Sequence, residues 1–198
     1  MPKVGMRHVV AALVDTASEI AGQALTYKDA LIATRAVAAD ITYDRSENKY
    51  YADDSLAESD NAATSGTISI TGSEFLPEAR AALFGLKVIE EGNVKIYRTT
   101  SEPSPYIGLG YMTTLIYKGK YKYFANWIHK MQFALSGENA RTKGETIEWQ
   151  DETATGSIMG VSIDNTGAIA FMDQVEFDTA GKAIEWLNTK AGYTPPAA

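Results

Sequence analysis

The chain of 198 residues contains no cysteine, which excludes disulfide bridges and thiolate-held zinc or iron–sulfur centres and agrees with folding in a reducing compartment. Histidine is almost as scarce, at two residues. Basic charge is short as well: 18 Lys and Arg stand against 25 Asp and Glu, a net charge of −7. A surface that grips nucleic acid by displacing counterions needs the opposite balance. No apolar run reaches the roughly 18 residues that a membrane span requires. The first eight residues place Lys3 and Arg7 where a signal peptide would be apolar, so the expected place of synthesis and folding is the inside of a cell. What is present is 45% hydrophobic residues on a length that buries one core without staples. This predicts a single domain over residues 1–193 and a frayed tail at 194–198.

The periodicity is that of strands. In residues 121–135, Tyr121, Tyr123, Ala125, Trp127, His129, Met131, Phe133 and Leu135 alternate with mostly polar positions, Phe124 and Ile128 being exceptions. That pattern predicts one long strand with one dry face. At about 3.4 Å per residue it would reach some 50 Å, so it must bend or outrun a compact sandwich. Residues 106–117 form the preceding strand of a hairpin linked by Lys118-Gly119-Lys120. Further strands are predicted at 4–14, 32–43, 66–71, 87–90, 94–97, 145–150, 157–163 and 169–177, with Asn165-Thr166-Gly167 as a turn. Helices are predicted at 73–84, stopped by Gly85, and after Asp178-Thr179, where Ala183, Ile184 and Leu187 share a face and Gly192 ends the helix. The fold class expected is mainly β: an antiparallel sandwich or barrel with one or two short flanking α-helices.

One stretch departs from this pattern. Residues 40–60 hold seven acidic and two basic side chains, and Tyr50, Tyr51, Asp53, Asp54, Leu56, Glu58 and Asp60 stand in it without a core-forming period. It reads as a long acidic loop over about 44–64, with the Tyr pair and Leu56 available for burial against a partner.

Reactive groups do not converge. His129, between Trp127 and Met131 on an apolar face, reads as a packed, hydrogen-bonded core histidine rather than a base or ligand. The carboxylates at 53–60 lack the spacing of a calcium loop. Gly108-Leu109-Gly110 lacks the third glycine and the following helix of a dinucleotide site. Lys118, Lys120, Lys122 and Lys130, interleaved with Tyr117, Tyr121 and Tyr123, have the composition of a single-strand binding face, yet in an acidic chain they read as a solvated hairpin tip. No catalytic, metal or cofactor residues are assigned. A binding or assembly protein remains, in which long strands need their edges covered, most simply by further copies of the same chain.

Several segments, in their order and spacing, carry a resemblance across nearly the whole chain. They are Met1-Pro2-Lys3-Val4-Gly5, Tyr51-Ala52-Asp53-Asp54 with Ala57-Glu58-Ser59-Asp60-Asn61, the strand pair from Pro105 to Phe133, Thr142 to Trp149, Gly156 to Gly160, and Phe177 to Leu187. Together they resemble the major tail proteins of long, non-contractile-tailed bacteriophages. The resemblance implies a tail tube subunit forming stacked, hexameric rings around a tape-measure protein, between a tail initiator and a terminator. Its place is the virion, after assembly in the bacterial cytoplasm, and duplex DNA passes through without specific binding and without any membrane role. Four strands from each of six subunits would give a barrel about 40 to 50 Å across at the backbone. Six copies of −7 give −42 per ring, which would repel phosphates spaced about 1.7 Å apart along the duplex. Glu145, Glu148 and Glu176 are the acids expected to face the bore, and the acidic loop is expected to join successive rings. The alternative is a β-sandwich module that binds a ligand such as carbohydrate through exposed aromatics among 11 Tyr and 3 Trp. Stacked rings or tubes from purified protein would separate the two.

Overall fold

The computed structural model describes residues 3–15, 25–52, 55–60, 62–134, 151–162 and 168–195. Its strands are β1 (Lys3–Val14), β2 (Tyr27–Arg45), β3 (Asn48–Ala52), β4 (Ser55–Asp60), β5 (Ala63–Phe75), β6 (Lys87–Glu91), β7 (Val94–Arg98), β8 (Ile107–Tyr117), β9 (Lys120–Phe133), β10 (Glu152–Met159), β11 (Val161–Ser162), β12 (Ile169–Ala170) and β13 (Met172–Phe177). Two helices, α1 (Pro77–Phe84) and α2 (Ala180–Ala191), interrupt them. The fold is mainly β and antiparallel, as the periodicity predicts.

The main sheet runs β10-β5-β2-β1-β8-β9-β13, and β10 also pairs with β9. Six strands therefore close into a barrel, with β13 added outside the closure. The barrel core contains Val9, Ile68, Ile70, Leu109, Ile128, Met131, Phe133 and Ile158, joined by Ala79, Leu83 and Phe84 of α1. A second core lies outside the barrel wall, where Ala183, Leu187 and Ala191 of α2 bury themselves against Val10, Met112, Ala125 and Trp127.

β9 is the strand that makes closure possible. Its residues 123–128 pair with β13, and its residues 130–133 pair with β10. The change of partner falls at a bulge: Leu109 faces Ile128 but Ile107 faces Met131, so β9 spends one extra residue there. That slip turns the strand over. Ala125 and Trp127 point to α2, whereas Met131 and Phe133 point into the barrel. The single dry face expected of residues 121–135 is corrected accordingly, and the bend answers the problem of a strand too long for a sandwich. Leu135 and residues 145–150 lie outside the described residues, as does the turn at 165–167.

Three other expectations shift. Residues 73–75 extend β5, because Phe75 is needed in the barrel core; α1 begins at Pro77, whose missing N–H is harmless there. The strand expected at 157–163 begins at Glu152 and gives way at Gly160 to the two-residue β11. The segment read as an acidic loop is a hairpin, β3 against β4, with Tyr50 opposite Glu58 and Tyr51 opposite Leu56. A two-stranded ribbon satisfies its backbone by cross-strand hydrogen bonds, and this does not depend on a hydrophobic period in the sequence. The helix stops are as expected: Gly85 and Gly192 both take φ of 71°, the left-handed region glycine tolerates.

Candidate assembly surface

The sheet has two walls that splay apart. β1 and β2 pair only between Val9 and Val14 on one side and Tyr27 and Thr34 on the other. A second bulge, at His8 with φ of 59°, marks where β1 turns away, and His8 Nε2 reaches Asn188 Oδ1 of α2 at 2.7 Å. Past this fork, residues 35–45 of β2 pair with β5 alone, and residues 3–7 of β1 pair with β8 alone. β13 pairs with β9 alone. Among the described residues these are open sheet margins, and eleven residues of β2 make the longest. Val37 stands on it 51% exposed, at a bulge against β5.

Among the described residues the outward face of β2, β5 and β10 is exposed or half-exposed, while at its β9 edge Gln132 Nε2 donates to Ser104 O and Lys130 lies against the Tyr106 ring. The register sets its side chains in rows: Ala38, Thr71 and Thr153; then Asp40, Ser69 and Thr155; then Thr42, Thr67, Ser157 and Gln132; then Asp44 beside Ser65. Inward, the same strands send Ile41, Ile68, Ile70, Ala154 and Ile158 to the core. Thr71 and Thr153 share a hydrogen bond of 2.9 Å, and Ser65 Oγ donates to Asp44 Oδ2 at 2.9 Å. No Lys or Arg occurs in residues 36–44, 63–75 or 152–159. The opposite wall differs, since α2 lies against it.

Where β9 changes partners, a hydrogen-bonded chain ties the walls to α2. Trp127 Nε1 donates to Tyr27 Oη at 3.1 Å, and the Tyr27 hydroxyl donates to the His129 carbonyl at 2.9 Å. The His129 N–H donates to Phe171 O at 3.1 Å, and its ring Nε2 lies 3.1 Å from Asp173 Oδ1. Lys190 of α2 stands 3.7 Å from the other oxygen of Asp173. His129 is thus a packed core histidine, 5% exposed. Burial pushes the Tyr27 phenol up to about 12, against the smaller lowering by its bond from Trp127. Tyr111, inside the barrel near Tyr43, is likewise pushed up to about 12 by burial.

Of the acids expected to face the bore, Glu145 and Glu148 lie outside the described residues. Glu176 is on β13, its carboxylate 2.9 Å from Lys122 Nζ, which also meets Asp178 at 2.7 Å. Lys122 holds the Asp178 carboxyl below its ordinary range, chiefly by this hydrogen bond. Of the loop residues, Tyr50 and Tyr51 are on β3 and Leu56, Glu58 and Asp60 on β4; Asp53 and Asp54 lie outside the described residues. Of the basic cluster, Lys122 is paired as above, Lys118 lies 5.3 Å from the Tyr117 ring, and Lys130 lies 4.1 Å from that of Tyr106.

Gly108 and Gly110 have a packing role. A Cβ on either would stand 2.7 Å from the Trp127 ring, so both are empty to admit the indole. Among the described residues no group of three or more His, Asp or Glu side chains gathers around a common point, and no helix is long and apolar enough to cross a membrane. Surface hollows are shallow; one of about 350 Å³ lies among Gly5, Arg7, Thr114, Tyr121 and Tyr123. The hydroxyl-bearing wall and the β2 margin were not singled out in the sequence. The alternation of Thr153, Thr155 and Ser157 with Ala154, Gly156 and Ile158 was the signal available. Compared with known proteins, the chain matches no family model and no curated protein.

Proposed function

We propose that this chain is a structural subunit of a bacteriophage tail tube, which joins copies of itself into rings and stacks the rings into a conduit for the genome. The observation that carries the reading is the eleven-residue margin of β2, open among the described residues in a subunit whose barrel otherwise closes on itself. Proteins that remain single blunt such edges with lysine, proline or a covering element; residues 35–45 contain no Lys or Pro, and their charges are Arg35 and Arg45 at the ends with Asp40 and Asp44 between. A neighbouring copy satisfies the unpaired N–H and C=O groups by continuing the sheet, and a head-to-tail contact of this kind closes into a ring when the rotation permits. The β3–β4 hairpin, carried on the end of β2 and β5, is the proposed contact between successive rings. Tape-measure, initiator and terminator proteins are the further partners of that assembly, and the virion tail is its location.

The test is negative-stain electron microscopy of purified protein concentrated in sulfate, which strengthens burial of apolar surface. Rings or tubes of constant diameter are expected. Particles that remain single at every concentration, with or without added tube fragments as seeds, overturn the reading and return the chain to the class of small ligand-binding sandwiches.

A further inference from the structure

We propose that the hydroxyl-bearing face of β2-β5-β10 is the inner surface of the ring, the surface that a hydrated polyanion passes over; this rests on the tube reading above. Among the described residues, the outward face of this wall has no helix on it, whereas α2 is packed on the other. Duplex DNA is the occupant that its chemistry fits. At about 6.8 Å along a strand and about 4.8 Å between strands, Ser69, Thr71, Thr153 and Thr155 form a neutral grid of hydroxyls. Such groups hold water by hydrogen bonds but offer phosphates no cation and release no counterions.

Within β2, β5 and β10 the charge on the face is at the β2 side, where Asp40 and Asp44 stand. One cation is in register with the rows: Lys130, opposite Met159 and next to the Ser157–Gln132 pair. Arg35 and Arg45 are at the two ends of the open margin, and Lys130 is folded onto the Tyr106 ring. Within β2, β5 and β10 the face has no lysine and so forgoes the usual protection against sheet aggregation. That omission is intelligible if the face looks into a closed bore. On this inference the bore has a neutral, hydrated lining edged by two aspartates.

Because the chain has no cysteine, a single thiol can be placed on the face. Ser69→Cys and Thr155→Cys, labelled with a gold-cluster maleimide after assembly, are expected to show gold inside the bore in averaged cross-sections. Lys182→Cys on α2 is expected to show it outside the bore. Gold on the outer wall from the first two variants overturns the inference while leaving the tube reading intact; failure of the unaltered chain to form tubes overturns both. A second readout uses charge. Tubes of Thr155→Lys should co-sediment with roughly tenfold more duplex DNA than unaltered tubes at low salt, the excess disappearing as salt rises. Equal DNA retention by the two overturns the inference.

Discussion

The indole of Trp127 occupies the space that a side chain on Gly110 would fill. A Cβ there would come within 2.7 Å of the Trp127 ring and 2.8 Å of Leu187 on α2. The second core is assembled around this vacancy. Gly110→Ala should lower stability by about 1–3 kcal/mol through overpacking. By contrast Gly181→Ala, on an open helix surface with nothing within 4 Å, should raise it by about 0.5–1 kcal/mol. Urea unfolding midpoints of the two variants check both signs; a Gly110→Ala midpoint equal to that of the parent contradicts the packing account.

Tyr27 links a buried indole N–H to a buried carbonyl, so Tyr27→Phe strands both and should cost about 1–3 kcal/mol. The phenol also sets a pH limit. Tyr27 and Tyr111 keep their protons up to about 12 in the folded chain against an ordinary value of 10.0. Above pH 10 the unfolded chain therefore holds fewer protons than the native one. The contribution of both groups is complete below pH 10 and falls as pH rises toward 12. Absorbance titration of the native protein should show Tyr27 and Tyr111 ionising well after the exposed phenols, with Tyr43 also raised by burial, and Tyr27→Phe should remove one of the late phenols. An unchanged number of late phenols in that variant would contradict the assignment.

Val37→Lys puts a cation on the open margin of β2 at a side chain that is 51% exposed. Thermal unfolding should change within about 0.5 kcal/mol, as for other surface changes. Sedimentation at concentrations where the parent assembles should show single subunits. Assembly at the parent's concentration would remove the β2 margin as the joint.

The hairpin can be excised across an existing bond, because Ser46 N–H donates to Ala62 O at 3.0 Å. Replacing residues 48–60 by Asn-Gly, a pair suited to a tight hairpin turn, should leave the melting temperature of the subunit unchanged. Electron microscopy should then show rings without stacks. Long tubes from this variant would relocate the contact between rings.

How legible all this was in the sequence varied with the physics involved. β8 and β9 could be read because half-buried strands impose a period of two, and the reading held as far as Trp127. Beyond it the bulge at His129 and Lys130 reversed the faces, and a single inserted residue has no compositional mark. Phe124 and Ile128, the apparent exceptions, point to the barrel side and were the only trace of it. β2 was foreseen too short, since Lys28, Asp29, Asp44 and Arg45 at its ends resemble loop residues, and Asp29 takes φ of 51° at a further bulge. The hydroxyl face was missed because Thr and Ser between small apolar residues give a weak hydrophobic contrast. Gly108 and Gly110 were set aside as a nucleotide motif for want of a third glycine, and their packing against Trp127 required knowing which ring would cross them.

Since β9 belongs to both walls at once, no hinge separates them inside the subunit. Flexing one wall twists the other through the same run of peptide bonds. A long filament built from such parts can curve only at its joints, so its stiffness is a property of the seams between copies, and loosening a seam should soften the whole filament while each building block stays rigid.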